Sequence, residues 1–242
     1  MKSDLFASAS GRTVLVTGAS AGIGYFVAEQ LATAGAAVVL GCRDPGKAEL
    51  AMTSIRSRVP GAVLRPVPLD LVDLSSLPAA AAALSGDRLD GVVLNAGVLS
   101  SGPRLRGAGA EVISVVAHPG GALDPLSPAR PPLFAPTDAE RLRGLPARAV
   151  LHGKHAGARP IVRALLGSDV SGGQLWGPRV AGLRGHPHPE SPHAHMTDPD
   201  TAARLWRASA ALAGLGPGPW DRGRCDRAHT PPVGTITGSE RW

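Results

Sequence analysis

The feature that most constrains the fold is a glycine-rich turn placed between a β-branched segment and an amphipathic one. Residues 13–16 form a short run typical of a buried strand, and glycines follow at positions 18, 22 and 24. Apolar residues then recur at three- and four-residue spacing over residues 23–34, which predicts a helix. A helix that begins at such a turn offers free N–H groups and a positive dipole end to an anion. The alternative is a tight strand-to-helix turn that holds no ligand.

Strand-like and helix-like segments alternate through the first hundred residues with short connections. This alternation predicts a parallel sheet with right-handed crossovers, that is, an α/β fold with a Rossmann-like, doubly wound parallel sheet. Prolines at positions 66 and 68 mark the third strand as an edge strand, because proline cannot donate to a central ladder. The predicted strands cover residues 13–16, 37–40, 62–67 and 89–94, and the predicted helices cover residues 23–34, 45–55 and 73–84.

The residues that end the predicted strands are site candidates, because ligands of parallel sheets bind at the carboxyl ends of the strands. Arg43 follows the second strand, Asp70 and Leu71 close the third, and residues 95–97 close the fourth. An acidic residue after the second strand favours the ribose of NAD, whereas an arginine there favours the 2′-phosphate of NADP. The sequence therefore predicts a preference for NADP. The alternative is that Arg43 is a surface arginine paired with Asp44.

The glycine-rich turn and the strand ends together resemble the short-chain dehydrogenase/reductase family. Cys42-Arg43-Asp44 is similar to its retinol-dehydrogenase-like branch, which often prefers NADP. The likeness returns further along, where His118-Pro119-Gly120 is similar to the family's loop beside the nicotinamide. The segments that carry the resemblance are residues 17–24, 42–44, 70–71, 95–97, 112–120, 172–178, 198–201 and 205–206.

This resemblance implies an NADP(H)-dependent oxidoreductase that moves a hydride between the nicotinamide and a small-molecule carbonyl or alcohol. NADP(H) is expected in preference to NAD(H) because of Arg43. The cofactor-binding residues that the resemblance implies are Gly18, Ser20, Ala21, Gly22, Ile23, Gly24, Arg43, Asp70, Leu71, Asn95, Ala96, Gly97, Pro119 and Gly120.

The family carries its proton transfer on a serine and a Tyr-x-x-x-Lys pair, and this chain lacks the pair. Tyr25 is its only tyrosine, and its lysines are Lys2, Lys47 and Lys154. Residues 98–118 are also too few for the helix, strand and second long helix that the family has there, which need about 45 residues. We therefore predict a sheet that is incomplete in its middle, with about one strand and two helices shortened or lost.

Two residues are candidates for what remains of the catalytic chemistry. Ser101 is a candidate remnant of the catalytic serine, with an ordinary loop serine as the alternative. His118 is a candidate proton donor, because the ordinary histidine pKa of about 6.5 suits that role, although a histidine beside a Pro-Gly turn is usually structural. The sequence thus predicts an NADP(H)-dependent oxidoreductase by ancestry whose catalysis is impaired. The alternatives are a dinucleotide-binding pseudoenzyme and a decayed, non-functional remnant.

The loss of the middle segment has consequences for domain organisation and stability. Residues 1–215 are expected to form one dinucleotide-binding domain, in which residues 122–200 are a Pro-rich lid and loop region, and residues 216–242 a disordered tail. Without the missing helices, apolar side chains at residues 92–94 and 113–116 are expected to lie partly bare. The family's dimer interface would be largely absent, so we expect reduced stability and self-association through uncovered strands.

Composition argues against several other classes of protein. Two cysteines cannot form a disulfide framework, and with no signal-like segment and no apolar run of about 20 residues we expect a cytoplasmic protein without a membrane span. The net charge of +6 comes from arginines interleaved with proline and glycine, so no nucleic-acid partner is expected. Four histidines within residues 186–195 could bind Zn or Ni, but the prolines between them hold the segment extended, so no metal site is expected.

Overall fold

The first half of the chain forms a four-stranded parallel sheet, as the strand–helix alternation predicted. The structure is a computed structural model, and it describes residues 8–71, 73, 75–96 and 115–212. The strands are β1 (Thr13–Thr17), β2 (Ala37–Cys42), β3 (Leu64–Pro68) and β4 (Gly91–Val93). They pair in parallel in the order β3–β2–β1–β4, which is half of a doubly wound sheet. β3 lies at an edge, as its prolines predicted.

Three helices connect these strands, namely α1 (Gly22–Thr33), α2 (Pro45–Arg56) and α3 (Ser76–Leu84). The carboxylate of Asp44 caps α2 by accepting from the N–H of Lys47 at 3.2 Å, as the Asp-Pro sequence predicted. α3 begins three residues later than predicted. The reason is that Asp73 is engaged in a turn, where its carboxylate accepts from the N–H of Ser75 at 3.0 Å.

The hydrophobic core lies between this sheet and α1, which is buried along most of its length. Val14 and Val16 of β1 and Leu40 of β2 pack in one cluster with Phe26 and Leu31 of α1. Each such side chain contributes about 1.5–3 kcal/mol when it leaves water. α1 is therefore the central helix of the hydrophobic core.

Residues 115–193 add a smaller sheet, a short pair of strands and a long helix. Their elements are β5 (Val116–Ala117), β6 (Ala122–Leu123), α4 (Asp138–Gly144), β7 (His152–Gly153), α5 (Lys154–Leu166), β8 (Leu175–Val180) and β9 (Arg184–Glu190). β5 pairs in parallel with β8, β8 pairs antiparallel with β9, and β6 pairs in parallel with β7. α5 packs against α1, because Ala158, Val162 and Leu166 enter the same core cluster.

A buried ion pair joins the loop before α4 to α1. Arg130 donates from both Nε and Nη2 to the carboxylate of Glu29, with the Nη2–Oε1 distance at 2.7 Å. Both residues are less than a tenth exposed. The guanidinium also lies over the ring of Phe26, 5.3 Å from its centroid. The Pro-rich region predicted as a lid and loop is thus fastened to the first half of the fold at this point.

The two sheets each present an open edge, and apolar side chains there are bare. In the described part of the chain, β4 ends the first sheet and β5 ends the second. Val92 is 46% exposed, Leu94 70% and Val116 41%. These values agree with the predicted exposure of the three residues. The prediction is wrong for Val93, which is 8% exposed and packs in the core cluster, and residues 113–114 lie outside the described ranges.

The C-terminal part divides off as a separate compact unit at residue 194. It contains α6 (Ala194–Thr197) and α7 (Pro199–Leu212), and the carboxylate of Asp198 accepts from the N–H of Thr201 at 3.1 Å. The predicted tail, residues 216–242, lies outside the described residues, so the predicted domain limits stay a prediction. No helix among residues 8–212 that the structure describes has the length and apolar character needed to cross a bilayer.

Candidate functional site

The glycine-rich turn adopts a backbone that other residues rarely take. Gly18 and Gly22 have φ angles of +66° and +60°, in the left-handed region. A Cβ on Gly18 would lie 3.0 Å from the Cα of Ala96, and a Cβ on Gly24 would clash with the carbonyl of Gly18 and the amide of Asn95. The turn therefore packs directly against the end of β4, and a side chain at either position would push the two apart.

Thr17 and Asn95 lock this arrangement with hydrogen bonds. The Thr17 hydroxyl accepts from the N–H of Asn95 at 3.0 Å and from that of Ala96 at 2.9 Å, and the Asn95 side-chain amide donates to the Thr17 carbonyl at 3.0 Å. Asn95 thus holds the turn in shape. Thr17 was not among the predicted site residues, although its place between the strand and the first glycine is a signal that could have identified it.

The start of α1 is open to an anion. No side chain caps it and no acidic residue lies in its first turn. The Nζ of Lys154, at the start of α5, lies 3.8 Å from the position that a Cβ on Gly22 would occupy, and it is paired with Asp124 at 2.7 Å. The Lys154 ammonium thus lies beside the turn, with its charge partly balanced by Asp124. Sequence reasoning missed this residue because it comes from more than a hundred positions along the chain.

The end of β2 touches the same turn. Burial raises the pKa of the Cys42 thiol, while hydrogen bonds from the Ser20 hydroxyl and from the turn backbone partly offset the effect. Arg43 follows and is exposed. The carboxylate of Asp44 is engaged at the start of α2, and no ion pair joins Arg43 to it or to any other residue that the structure describes. The alternative of a paired surface arginine is therefore not the arrangement found.

The other predicted cofactor residues lie around this turn or at the neighbouring strand end. Ala21 is exposed and Ile23 is half-buried against the core. The backbone of Asp70 is held by the hydroxyl of Ser76, which donates to the Asp70 carbonyl at 2.9 Å and accepts from its N–H at 3.1 Å. Leu71 is largely exposed. Gly97 and Ser101 lie outside the described residues.

His118 is held on both sides of its ring. Its Nε2 lies 3.0 Å from a carboxylate oxygen of Glu190 on β9, and its Nδ1 accepts from the N–H of Gly120 at 3.3 Å. The carbonyl of Pro119 in turn accepts from Nε2 of His152 at 2.7 Å. The His-Pro-Gly loop is thus a braced turn, and the imidazole of His118 has no ring nitrogen left for a substrate in this geometry.

Tyr25 lies away from solvent and cannot replace the family's tyrosine. Its hydroxyl donates to Glu29 at 3.0 Å and shares a hydrogen bond with Ser54 at 2.9 Å. Burial, together with the charge of Glu29, raises its pKa to about 12. A phenol of that pKa, fully enclosed in the core, neither meets a substrate nor exchanges protons near neutral pH.

Comparison with known proteins assigns the family. The family model described as short chain dehydrogenase matches residues 12–118. The dehydrogenase/reductase SDR family member 13 of Bos taurus is 30% identical over 285 residues, which take in 88% of this chain and 76% of the bovine protein. This chain belongs to the short-chain dehydrogenase/reductase family. The bovine alignment is longer than the 242-residue chain, so it contains positions that this short-chain dehydrogenase/reductase lacks.

Shorter matches cover the first half of this family member. Retinol dehydrogenase 13 of Homo sapiens is 39% identical over 95 residues, which are 38% of this chain and 29% of the human protein, and it supports the retinol-dehydrogenase-like branch. The short-chain dehydrogenase/reductase drtF of Aspergillus calidoustus is 41% identical over 106 residues, which are 43% of this chain and 34% of the fungal protein. The chain thus spans about a third of the length of these two relatives.

One solved structure shows the same fold over most of the chain. A crystal structure of an uncharacterised protein from Mycobacterium paratuberculosis aligns with a TM-score of 0.57 at 22% identity, covering 87% of this chain and 96% of that one. The α/β fold with shortened parts is therefore shown at the level of architecture. Members of the family are oxidoreductases that bind a nicotinamide dinucleotide and act on small molecules. The glycine cradle and the uncapped helix start of this chain fit the diphosphate of such a cofactor.

Proposed function

We propose that this chain binds NADP(H) in preference to NAD(H) and that it has lost the proton-transfer half of its family's reaction. The observation that carries the proposal is the absence of any Tyr-x-x-x-Lys pair from a sequence whose single tyrosine, Tyr25, is a core residue. The dinucleotide would rest on the glycine-rich turn, and its chemistry when bound is the transfer of a hydride. A small carbonyl or alcohol would be the partner of any turnover that survives.

The preference for NADP(H) follows from Arg43. Its side chain is exposed at the end of β2 and forms no ion pair with a described residue, so the guanidinium is available to a 2′-phosphate. A hydrogen bond to a charged group contributes about 1.5–3 kcal/mol, which amounts to roughly 10- to 100-fold in affinity. Lys154, which is paired with Asp124 beside Gly22, would bring a second cation near the diphosphate.

The chain's own residues would bind and orient the cofactor but would not move a proton. Thr17 and Asn95 keep the turn against β4, so the start of α1 faces the diphosphate. His118 is the remaining candidate donor, and its ring nitrogens are engaged by Glu190 and Gly120. The proposal therefore favours a dinucleotide-binding protein of impaired catalysis. We also propose a cytoplasmic location, no nucleic-acid partner, and self-association in place of the family dimer.

The test is a titration of the full chain with NADPH and with NADH, followed by thermal unfolding. A melting temperature that rises with NADPH, by an amount matching about 2.7 kcal/mol at one hundred dissociation constants, supports a folded nucleotide site. Arg43→Gln should weaken NADPH binding at least tenfold and leave NADH binding unchanged. Arg12→Gln is the matched control, because Arg12 is exposed at the opposite end of β1. A melting temperature that neither NADPH nor NADH changes would contradict the proposal.

Turnover with carbonyl substrates separates an impaired protein from an active one. We expect no NADPH oxidation above background with small aldehydes and ketones. Activity that His118→Ala abolishes and His155→Ala retains would show instead that this family member uses an unorthodox proton donor. His155 is a suitable comparison because it is a neighbouring histidine that packs on the ring of Phe26.

A further inference from the structure

A cleft of about 370 Å³ opens in the second half of the fold, and no part of the proposed dinucleotide site contributes to it. It is bounded by the turn after β6, by α4 and the segment that follows it, by β7 and by β9. The residues that line it are Pro125, Leu126, Arg141, Leu145, Arg148, Leu151, His152, Gly153 and Arg184.

The cleft is basic, and its wall contains no carboxylate among the described residues. Arg141, Arg148 and Arg184 line it and come from three different elements. Arg184 is fixed in place, because its Nη1 donates to the carbonyls of Arg148 at 2.8 Å and Ala149 at 2.6 Å. No ion pair neutralises any of the three within the described part of the chain. An anion in the cleft would relieve the repulsion between these guanidinium groups.

His152 also lines the cleft, and its ring is held by a hydrogen bond inside the protein. Its Nε2 donates to the carbonyl of Pro119 at 2.7 Å, so Nδ1 is the acceptor nitrogen of the neutral ring. That Nδ1 is shut off from solvent and has no hydrogen-bond partner among the described residues. Buried polar atoms without a partner are uncommon in folded proteins. Because this Nδ1 is closed off from solvent, a ligand in the cleft does not reach it, and anion recognition there depends on the arginines.

The rest of the wall is apolar. Pro125, Leu126 and Leu151 line the cleft, and Leu145 is half exposed at its side. A few convergent cations on an apolar surface are typical of sites for small organic anions. Arginine forks match the geometry of both carboxylates and phosphates.

We propose that this cleft binds a small organic oxyanion, a carboxylate or a phosphate ester carried on an apolar body. Arg141 and Arg148 contact the anionic group, Arg184 completes the positive wall, and the leucines contact the apolar body. This proposal stands on the cleft alone and does not depend on whether the chain binds a dinucleotide.

The test is isothermal titration of the full chain with three probes of matched length, namely hexanoate, hexyl phosphate and the uncharged hexanamide. We expect binding of at least one of the two anions and none of hexanamide. The anion that binds more tightly identifies the headgroup. Arg141→Gln and Arg148→Gln should each weaken that binding about tenfold, and added salt should weaken it further. Arg143→Gln is the matched control, because Arg143 is exposed on the same helix α4 and does not line the cleft.

Three outcomes would overturn the proposal. Equal binding of hexanamide would mean an apolar groove without anion recognition. Binding that Arg141→Gln and Arg148→Gln leave unchanged would place the anion elsewhere on the protein. No binding of either anion by a chain that shows a cooperative thermal transition would show that the cleft holds no such ligand.

Discussion

Individual side chains join the two halves of this chain, and Arg130 is the clearest case. It comes from a proline-rich loop, yet its guanidinium is buried on α1 against Glu29. A buried charge that loses its partner leaves the other charge uncompensated in the core, at a cost of about 3–5 kcal/mol. The same pair also receives the hydroxyl of Tyr25, so the only tyrosine of the chain serves the core network and has no role at the surface.

We predict that Arg130→Met lowers the free energy of unfolding by about 3–5 kcal/mol, because Glu29 is left charged and buried. Urea unfolding of the purified chain measures the effect. Asp169→Asn is the matched control: it breaks the exposed Arg163–Asp169 pair, which should change stability by less than about 1 kcal/mol. Equal effects of the two substitutions would mean that the buried pair is not a principal contact.

A second residue-scale prediction concerns pH. Burial lowers the pKa of His155 more than the charge of Glu29 raises it, and the charges of Arg159 and Arg130 lower it further. Burial likewise lowers the pKa of His152. The folded state then binds fewer protons than the unfolded state once the pH falls below the ordinary histidine value of about 6.5. Stability should therefore decrease as the pH falls from about 7.5 to 5.5. The urea midpoint at both pH values measures this.

Replacing His155 measures how much this residue contributes to the pH dependence of stability. His155→Phe should narrow the difference between the two midpoints, since the replacement ring cannot take up a proton. Leu142→Gln is the control, because Leu142 is an exposed residue of α4 and neither side chain takes up a proton, so the difference should stay unchanged. If both variants keep the full difference between the two midpoints, the pH dependence of stability comes from groups other than His155.

At the scale of secondary structure elements, the approach of α1 to β4 depends on Gly24. A Cβ there would clash with the carbonyl of Gly18, which is backbone and cannot move aside without opening the turn. Gly24→Ala should destabilise the fold by about 1–3 kcal/mol and weaken NADPH binding, as measured by urea unfolding and by titration. Gly86→Ala is the control, because a Cβ on Gly86 meets open space. If Gly24→Ala left the stability unchanged, the turn would have room for a Cβ at this position, contrary to the close contact with the carbonyl of Gly18.

The elements before residue 97 could be predicted from sequence, because their signals are local. A β-branched run, a glycine turn, an Asp-Pro cap and prolines at an edge each act within a few residues, and β1, α1, β2, α2 and β3 follow them closely. The place of Arg43 at the end of β2 could be predicted for the same reason, because it follows directly from the local sequence. Lys154 near Gly22, Arg130 on Glu29, and the meeting of Arg184 with residues 141–148 at the cleft could not be predicted, because each joins segments far apart in sequence.

At the scale of the whole molecule, the described residues form a four-stranded sheet, a three-stranded sheet and a short pair of strands, and exposed apolar residues lie where the first sheet ends. Val92 and Leu94 on the β4 side are substantially exposed. Bare strand edges with apolar side chains pair readily with other copies. The net stability of an ordinary domain, about 5–15 kcal/mol, is small enough for a few uncovered side chains to matter.

We predict concentration-dependent self-association of the purified chain, measured by sedimentation velocity. Leu94→Lys should shift the distribution toward monomer, because a charge on a strand edge disfavours pairing. Leu50→Lys is the control, since Leu50 is an apolar residue of α2 that is 43% exposed and lies away from the strand edges. A chain that stays monomeric at all concentrations and melts reversibly above about 60 °C would contradict the prediction.

The packing of α5 on α1 has a consequence for the continuity of the polypeptide. α5 of the second half shares a core cluster with α1 of the first half, and the buried Glu29–Arg130 pair is a second contact between the two halves. Both contacts are noncovalent, so they do not depend on the peptide bonds that join the two halves. Two separately expressed fragments, residues 1–114 and 115–242, should therefore find one another and co-purify, and Arg130→Met should weaken their association. The protein would then assemble from two complementary fragments without a covalent bond between them.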